Sequence, residues 1–362
     1  MTGKSDSFFM QRALALAARG AGFVSPNPMV GCVIVKKNKI ISEGYHKKFG
    51  GDHAEVAALK KLKERANGAT LYVTLEPCHH VGKTPPCVDA VIASGVKRVV
   101  LAMKDPNPLT AGKSIRKMKR AGITVTVGVL VAEAKELNRA FCKWIQCKMP
   151  YVIVKIAQSL DGKIAPAKAQ QAWITGDIAR KEVHKMRAAA DAVLVGRGTA
   201  VTDDPQLTAR LVKTKSSQPK RVILDSKLRI SPKAKIFNTP GGDILLFCSL
   251  PHEHAKVKAF NKLGLRIFCG PADKEGGLDL IWVLSQLGVL GVVRLLVEGG
   301  SHIFTSFLKQ NLADEWIFHV APKFLGPKAV PAFRVSQKTA LFAKFTESKM
   351  LGRDLMLRRV IT

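Results

Sequence analysis

Strand-like and helix-like segments alternate along this chain from end to end. A pattern of that kind is satisfied by layered α/β architectures, in which helices cover a largely parallel sheet. Residues 30–35, Val-Gly-Cys-Val-Ile-Val, form a β-branched apolar run, the mark of a strand buried on both faces. A short polar turn follows, and 39–44 reads as the hairpin partner. Further strands are expected at 70–75, 99–102 and 124–127, with helices near the start and at 54–62, 86–94 and 115–121. The pattern loosens over 138–150 and ends at Met149-Pro150, which predicts a boundary. Beyond it the alternation resumes, with strands at 151–157, 192–195, 221–225, 243–247, 265–269, 294–297, 316–320 and 355–360. Helical patterns at 177–189 and 278–287 lie between them. A chain of 362 residues holds two such units, 1–148 and 149–362, each large enough for its own core.

The formal net charge is +31, from 58 Lys and Arg against 27 Asp and Glu. That balance points to an anionic partner. The basic residues are scattered rather than gathered in a stripe with interleaved aromatics, so they read mostly as solvated faces and loops, with steering of phosphorylated small molecules next and nucleic acid last. Seven cysteines, odd in number and dispersed, do not form a disulfide framework; they suit a reducing cytosol. The apolar start is broken by Gln11 and Arg12, so it reads as an amphipathic helix, and no run is long enough to span a bilayer.

Three short pieces carry chemistry in the first half. His53-Ala54-Glu55 opens a helix, Glu76-Pro77-Cys78 leaves the end of a strand, and Cys87 opens the next helix. One imidazole and two thiolates suit zinc and leave a fourth position for a water, whose pKa the metal lowers to about 7. Glu55 is too close in sequence to be an easy fourth ligand but well placed to shuttle protons. This is the division of labour of the zinc deaminases. His79 and His80 leave a closed, four-ligand structural site open as an alternative. Nucleic-acid deaminases of this type have two residues between the cysteines, whereas eight stand between Cys78 and Cys87.

The second half offers weaker signals. No Gly-x-Gly-x-x-Gly follows a strand. Gly196-Arg197-Gly198-Thr199 lacks the third glycine. Glu298-Gly299-Gly300-Ser301 leaves a strand and precedes an apolar helix, a place where exposed backbone N–H groups favour a phosphate. Either could equally be a tight strand-to-helix turn.

The stretch Thr74-Leu75-Glu76-Pro77-Cys78-His79-His80-Val81-Gly82-Lys83-Thr84-Pro85-Pro86-Cys87 resembles the long-loop motif of the bifunctional deaminase–reductase family of riboflavin biosynthesis. So do Pro26-Asn27-Pro28-Met29-Val30-Gly31-Cys32, Gly51-Asp52-His53-Ala54-Glu55-Val56 and Asp105-Pro106-Asn107-Pro108. In the second half the resemblance rests on Ser159-Leu160-Asp161-Gly162, Trp173-Ile174-Thr175-Gly176, Asp203-Asp204-Pro205 and Glu298-Gly299-Gly300. It covers about residues 8–360.

The resemblance implies a cytidine-deaminase-like three-layer α/β domain over 1–148 and a dihydrofolate-reductase-like α/β domain over 149–362. It implies hydrolytic deamination of 2,5-diamino-6-ribosylamino-4-pyrimidinone 5′-phosphate, then reduction of the ribosyl group to ribityl with NADPH. His53, Cys78 and Cys87 would bind one zinc ion and Glu55 would move protons. Asn27, His46, His80, Lys83, Asp105 and Asn107 would line the deaminase pocket. Gln158, Trp173, Thr199, Asp203, Gly299, Gly300 and Ser301 match cofactor-contacting positions; Gln171, Arg187, Leu207, Arg210 and Glu298 match substrate-contacting ones. Arg187 and Arg210 would suit a 5′-phosphate, because guanidinium forks bind it bidentately. Lys155 would assist proton transfer or ring opening. Gln171 stands where the family usually has Ser, and Lys168-Ala169 where it has Ser-Gly, so an impaired reductase half is one rival reading. A nucleic-acid deaminase is the other. Self-association is expected from the resemblance alone.

Overall fold

The computed structural model describes residues 4–62, 65–80, 85–108, 110–167, 173–212, 217–334 and 344–361. The chain divides into two compact units, Met1–Lys148 and Met149–Thr362. Among the described residues no helix is long and apolar enough to cross a membrane.

The first unit has a five-stranded sheet built from β1 (Gly31–Lys36), β2 (Lys39–Tyr45), β3 (Thr70–Leu75), β4 (Arg98–Met103) and β5 (Thr124–Val127), in the order β2-β1-β3-β4-β5. The first hairpin turns on Lys37 and Asn38, both at positive φ, with Lys36 registered on Lys39. That backbone geometry matches the strands' right-handed twist. β1 is antiparallel to β2 and β3, and β3, β4 and β5 are parallel. One face is covered by α2 (Ala54–Leu59), α3 (Cys87–Ala93) and α4 (Lys113–Arg120), which bury Ala58, Val91 and Met118 against Ile34, Leu71 and Val99. The other face receives α1 (Asp6–Ala18) and α5 (Val131–Leu137), through Phe9, Met10, Leu16 and Ala134.

Two glycines set how closely helices approach this sheet. A Cβ on Gly31 would lie 2.0 Å from the Ala13 carbonyl oxygen of α1, and one on Gly44 would lie 2.4 Å from that of Ala54 in α2. The irregular stretch expected over 138–150 is in fact helical: α6 spans Arg139–Cys147. Ala140 is its one buried residue, and Phe141 and Cys142 pack partly buried on the same core as α1. Polar bonds anchor its start as well, since the Asn138 side chain both accepts from the Met29 N–H (2.8 Å) and donates to the Met29 carbonyl (2.9 Å).

The second unit has a nine-stranded sheet. Its strands are β6 (Tyr151–Ser159), β8 (Ala192–Gly196), β9 (Lys220–Leu224), β10 (Ile244–Cys248), β11 (Arg266–Cys269), β12 (Arg294–Val297), β13 (Glu315–Ala321), β15 (Glu347–Leu351) and β16 (Asp354–Val360); β7 (Lys163–Ala165) and β14 (Val330–Pro331) pair separately. The order is β11-β10-β9-β8-β12-β6-β13-β16-β15, parallel from β11 to β13 and antiparallel at β16 and β15. One face carries α11 (Leu280–Val289) and α12 (Ser301–Lys309), packed on Val154, Leu295 and Trp316. The other carries α7 (Asp177–Ala189), α8 (Arg197–Thr202), α9 (Lys235–Asn238) and α10 (Ala255–Lys262), packed on Val193, Ile223 and Leu296. The eight strands expected here are all present. β7, β14 and β15 are additions that the patterning did not signal; β15 is exposed along most of its length, so it lacks a buried period.

Candidate active sites

The first site forms where β3 ends and α2 and α3 begin. His53 is the N-cap of α2, Cys78 lies three residues beyond β3, and Cys87 is the first residue of α3. Ligand atoms of the three lie within 4.8 Å of one another. The His53 Nδ1 is 3.1 Å from the Cys87 Sγ and 3.6 Å from that of Cys78, and the Cys87 N–H donates to the Cys78 sulfur (3.2 Å). The Cys78 thiol is pulled down to about 4, chiefly by its hydrogen bond with the Cys87 side chain; the same bond, together with burial, pushes Cys87 up. One nitrogen and two sulfurs converging at this spacing are a donor set that zinc accepts with a position to spare.

Glu55 sits in the first turn of α2 and is buried, and burial pushes its carboxyl up to about 7. The helix that carries it can lie this close to β2 because position 44 has no Cβ. His46 is buried beside His53, ring centroids 5.2 Å apart. Its Nδ1 is 3.0 Å from the Asp52 carbonyl, which can only accept, so Nδ1 carries the proton and Nε2 accepts from the Asn27 amide (3.2 Å). That chain of bonds fixes which way the Asn27 carbonyl faces. Burial also pushes Asp105 up to about 6, and one of its oxygens accepts from the Asn107 N–H (2.8 Å). His80 is held by Thr110, at 3.3 Å. Lys83 lies outside the described residues.

Glu76, read from sequence only as part of a strand exit, has a larger part. Its buried carboxylate accepts from the backbone N–H groups of Asp105 (3.3 Å), Gly112 (2.9 Å), Ser114 (3.1 Å) and Ile115 (3.3 Å). It thereby ties the loop bearing Asp105 and the start of α4 to the strand end bearing Cys78. The acidic residue beside Pro-Cys was visible in the sequence, but its partners lie 29 to 39 positions away.

The second site is a cleft of about 970 Å³ at the carboxyl ends of β6, β8 and β12. Parallel α/β sheets bind ligands in this position. The two weak glycine signals meet here: Gly196 ends β8, Gly299 and Gly300 follow β12 on the neighbouring strand, and both turns pack on Ile303 of α12. A Cβ on Gly300 would come within 3.4 Å of the Thr199 Oγ1, and the buried Ser301 Oγ has no hydrogen-bond partner among the described residues. A helix start with small residues and an unsatisfied hydroxyl fits a phosphate-bearing cofactor such as NADPH. Trp173 lines the cleft as an exposed ring with the Arg180 guanidinium 4.6 Å from its centroid; Thr199, Asp203 and Leu207 line it as well. Gln158 does not line it: side chains alternate along β6, so Gln158 faces away from the side shared by Lys155 and Ala157. Gln171 lies outside the described residues.

At the cleft floor the Glu298 carboxylate accepts from Arg187 Nε (2.6 Å) and Nη2 (2.9 Å), and Lys155 Nζ stands 3.6 Å away. Burial pushes Glu298 up, but Arg187 and then Lys155 outweigh it and hold the carboxyl at about 2. Burial lowers Lys155, with Glu298 opposing. Arg187 also donates from Nη1 to the Thr208 carbonyl (3.2 Å), so three of its five N–H groups are bonded to protein. Arg187 and Arg210 both line the cleft. The buried His184, which the sequence did not single out, accepts the Arg210 N–H at Nδ1 (3.1 Å), and burial and then Arg187 hold its imidazole down to about 4.

The family model for the RibD C-terminal domain matches residues 150–357, and that for the cytidine and deoxycytidylate deaminase zinc-binding region matches 3–103. The riboflavin biosynthesis protein RibD of Aquifex aeolicus is 45% identical over 89% of this chain and 88% of its own. That of Escherichia coli K12 is 39% identical over 98% and 99%. Among solved structures, Acinetobacter baumannii RibD superposes with a TM-score of 0.90 at 39% identity, covering 99% of both chains. A Thermotoga maritima diaminohydroxyphosphoribosylaminopyrimidine deaminase/5-amino-6-(5-phosphoribosylamino)uracil reductase does so at 0.86 and 37%, covering 98% of this chain and 99% of its own.

Proposed function

This chain belongs to the RibD family of bifunctional deaminase–reductases of riboflavin biosynthesis, and from that premise we propose how its residues divide the work. The observation that carries the proposal is the pairing of a His53–Cys78–Cys87 cluster beside buried Glu55 in one unit with a Lys155–Glu298–Arg187 cluster on a cleft floor in the other. The substrate is the diaminopyrimidinone ribosylamine 5′-phosphate, deaminated first and then reduced at its sugar.

In the deaminase half, His53, Cys78 and Cys87 would hold zinc, which would supply a water acidic enough to ionise near neutral pH. Glu55, beside that cluster, would take up a proton and pass it to the departing amino group, which leaves as ammonia. Its burial suits the task, because a carboxyl held near 7 both takes and gives protons at neutral pH. Asn27, oriented by His46, and Asp105, supported by Glu76 through the backbone, read the amide edge of the ring. His80 and Lys83 meet the phosphate side.

In the reductase half, the Gly299-Gly300-Ser301 turn, Thr199, Asp203 and Trp173 would bind NADPH, which would supply the hydride for C1′. Lys155 donates a proton to the ribose ring oxygen as the C1′–O4′ bond opens. Glu298 holds Lys155, and Arg187 holds Glu298. Arg210 receives the 5′-phosphate, with Leu207 closing the wall of the cleft beside it. Gln158, on the far face of β6, is given no role, and Gln171 takes the place the family usually gives to Ser. The cytosol suits seven free thiols, two of them needed as thiolates. Self-association is proposed from the family resemblance and is read by sedimentation velocity.

The test is a coupled assay on zinc-loaded protein, following ammonia release and NADPH oxidation together. Ammonia release that precedes NADPH oxidation supports the reading. Ammonia without NADPH oxidation removes the reductase part of it, and neither product removes the substrate.

A further inference from the structure

Outside the groups already used, one side chain in the second unit stands out. His319 of β13 is fully buried, and neither ring nitrogen has a hydrogen-bond partner among the described residues. An imidazole cannot avoid presenting one donor and one acceptor when neutral, so burying both unmet carries a cost. Groups left in that condition in a native protein call for an explanation.

Its position supplies one. β13 runs parallel to β6, with Ile317 registered on Lys155 and His319 on Ala157. Side chains alternate along a strand, so Lys155, Ala157, Ile317 and His319 share one face of the sheet, and His319 is the diagonal neighbour of Lys155. Diagonal neighbours, with Cα atoms about 7–8 Å apart, are within reach of a long side chain. Lys155 and Ala157 both line the reductase cleft. Apolar groups make up part of the surroundings: Ile317 on its own strand, Met356 opposite it on β16, and Ala179 and Met186 of α7 above that face. The charged groups on that side are Lys155, Glu298 with Arg187 upon it, and Asp354 and Arg358, which flank Met356 on β16, Arg358 being paired with Glu315.

We propose that His319 is a positioning residue for the reductase: in the structure the Lys155 ammonium stands at Glu298 and leaves His319 unbonded, and a turn of the Lys155 side chain brings it to the neutral imidazole, which holds it both before and after it gives up its proton. The proposal rests on the reading of Lys155 as proton donor. When the C1′–O4′ bond breaks, the exocyclic nitrogen's lone pair forms the C1′=N bond, and O4′ takes a proton from the Lys155 ammonium. The hydride then adds to C1′, the nitrogen recovers its lone pair, and solvent returns one proton to Lys155. Between those events Lys155 is an uncharged amine, and the attraction of Glu298 that held it is gone. A neutral imidazole serves both states, since its bare nitrogen accepts an N–H from the ammonium and equally one from the uncharged amine, which still has two. His319 meets the requirement of neutrality: burial and then the Lys155 charge hold its ring down to about 3.

The test uses full-length, zinc-loaded protein. Reductase rates on deaminated substrate are measured over about pH 6–10 for the wild type, His319→Met and His319→Gln. Ammonia release by the other half serves as a control for folding. The Lys155 pKa is read without turnover, from the pH dependence of its acetylation by acetic anhydride, followed by peptide mass spectrometry. In parallel, the ring resonances of His319 in wild-type protein labelled with [13C]histidine are followed over the same range. His319→Met is expected to lower kcat about tenfold with KM nearly unchanged, and to move the alkaline limb and the Lys155 labelling midpoint to lower pH, because the ammonium has lost an acceptor. His319→Gln, which keeps a donor and an acceptor, restores most of both. The His319 resonances are expected to inflect at the Lys155 midpoint, and Lys155→Met to abolish the inflection. An unmoved limb and midpoint in His319→Met overturn the proposal. If that variant does not accumulate, a wild-type His319 signal that ignores the Lys155 titration overturns it equally. Full reductase turnover in Lys155→Met is a different failure: it removes the role given to Lys155, whereas a missing inflection removes the role given to His319.

Discussion

Replacing Glu298 by Gln keeps the shape of the side chain and deletes its charge. Arg187 and Lys155 are then left in a buried place with no counter-charge, since their side chains are only 12% and 11% exposed and that of Glu298 8%. The loss can be sized in two ways. The carboxyl is held at about 2 against an ordinary 4.5; at about 1.36 kcal/mol per pH unit, that gap is worth roughly 3 kcal/mol. Breaking a buried ion pair by removing one partner costs about 3–5 kcal/mol by independent measurement on other proteins. Because folding lowers this carboxyl's pKa, its contribution is complete above the unfolded value near 4.5 and drains away as the pH falls toward 2. By about pH 3 roughly half should be gone. Urea unfolding followed by tryptophan fluorescence measures it, since Trp173, Trp282 and Trp316 all lie in the second unit and Trp144 can be changed to Phe. With a slope of about 2–3 kcal/mol per molar urea, the midpoint at pH 7 should fall by about 1–1.5 M. The gap from wild type should narrow at acid pH. A drop of less than about 0.3 M at neutral pH, or a gap that is the same at pH 3, would refute the reasoning.

Three shorter expectations concern the first unit. Glu55→Gln should reduce ammonia release by at least about 10²–10⁴-fold; NADPH oxidation on separately supplied deaminated substrate should survive, and its loss would mean that the variant damaged more than proton transfer. Cys78→Ser should lower bound zinc, read by elemental analysis after dialysis, well below one equivalent per chain; full occupancy would show that the cluster is not the zinc site. Gly44→Ala places a methyl group where the Ala54 carbonyl lies 2.4 Å away, so α2 must shift and carry His53 and Glu55 with it. Deaminase kcat should drop by about 10²-fold, the order expected for a displacement near 1 Å; an unchanged rate would mean that α2 is not held by that contact.

The contrast between the two units explains what a sequence discloses. Zinc chemistry needs particular atoms close together on elements that follow one another, and the turn before α2, the exit of β3 and the start of α3 deliver them within 35 residues, so His53, Glu55, Cys78 and Cys87 were legible as a set. Long apolar strands were legible for the same reason: their signal is local, and every expected strand appeared within a residue or two. The reductase site is assembled otherwise. Lys155, Arg187 and Glu298 come from β6, α7 and the end of β12, and only the strand order, which inserts β12 between β8 and β6, brings them together. Without the family resemblance, no spacing would have joined them, and the two glycine turns looked weak because each supplies half of one cradle. What stayed hidden even with the resemblance was the layer behind the reacting groups. Glu76, Asn138 and His184 work by binding backbone at distances of 26 to 109 residues. Such residues look in sequence like any loop acid, amide or surface histidine. Their function depends on burial, and burial is a property of the assembled sheet and not of the neighbours along the chain.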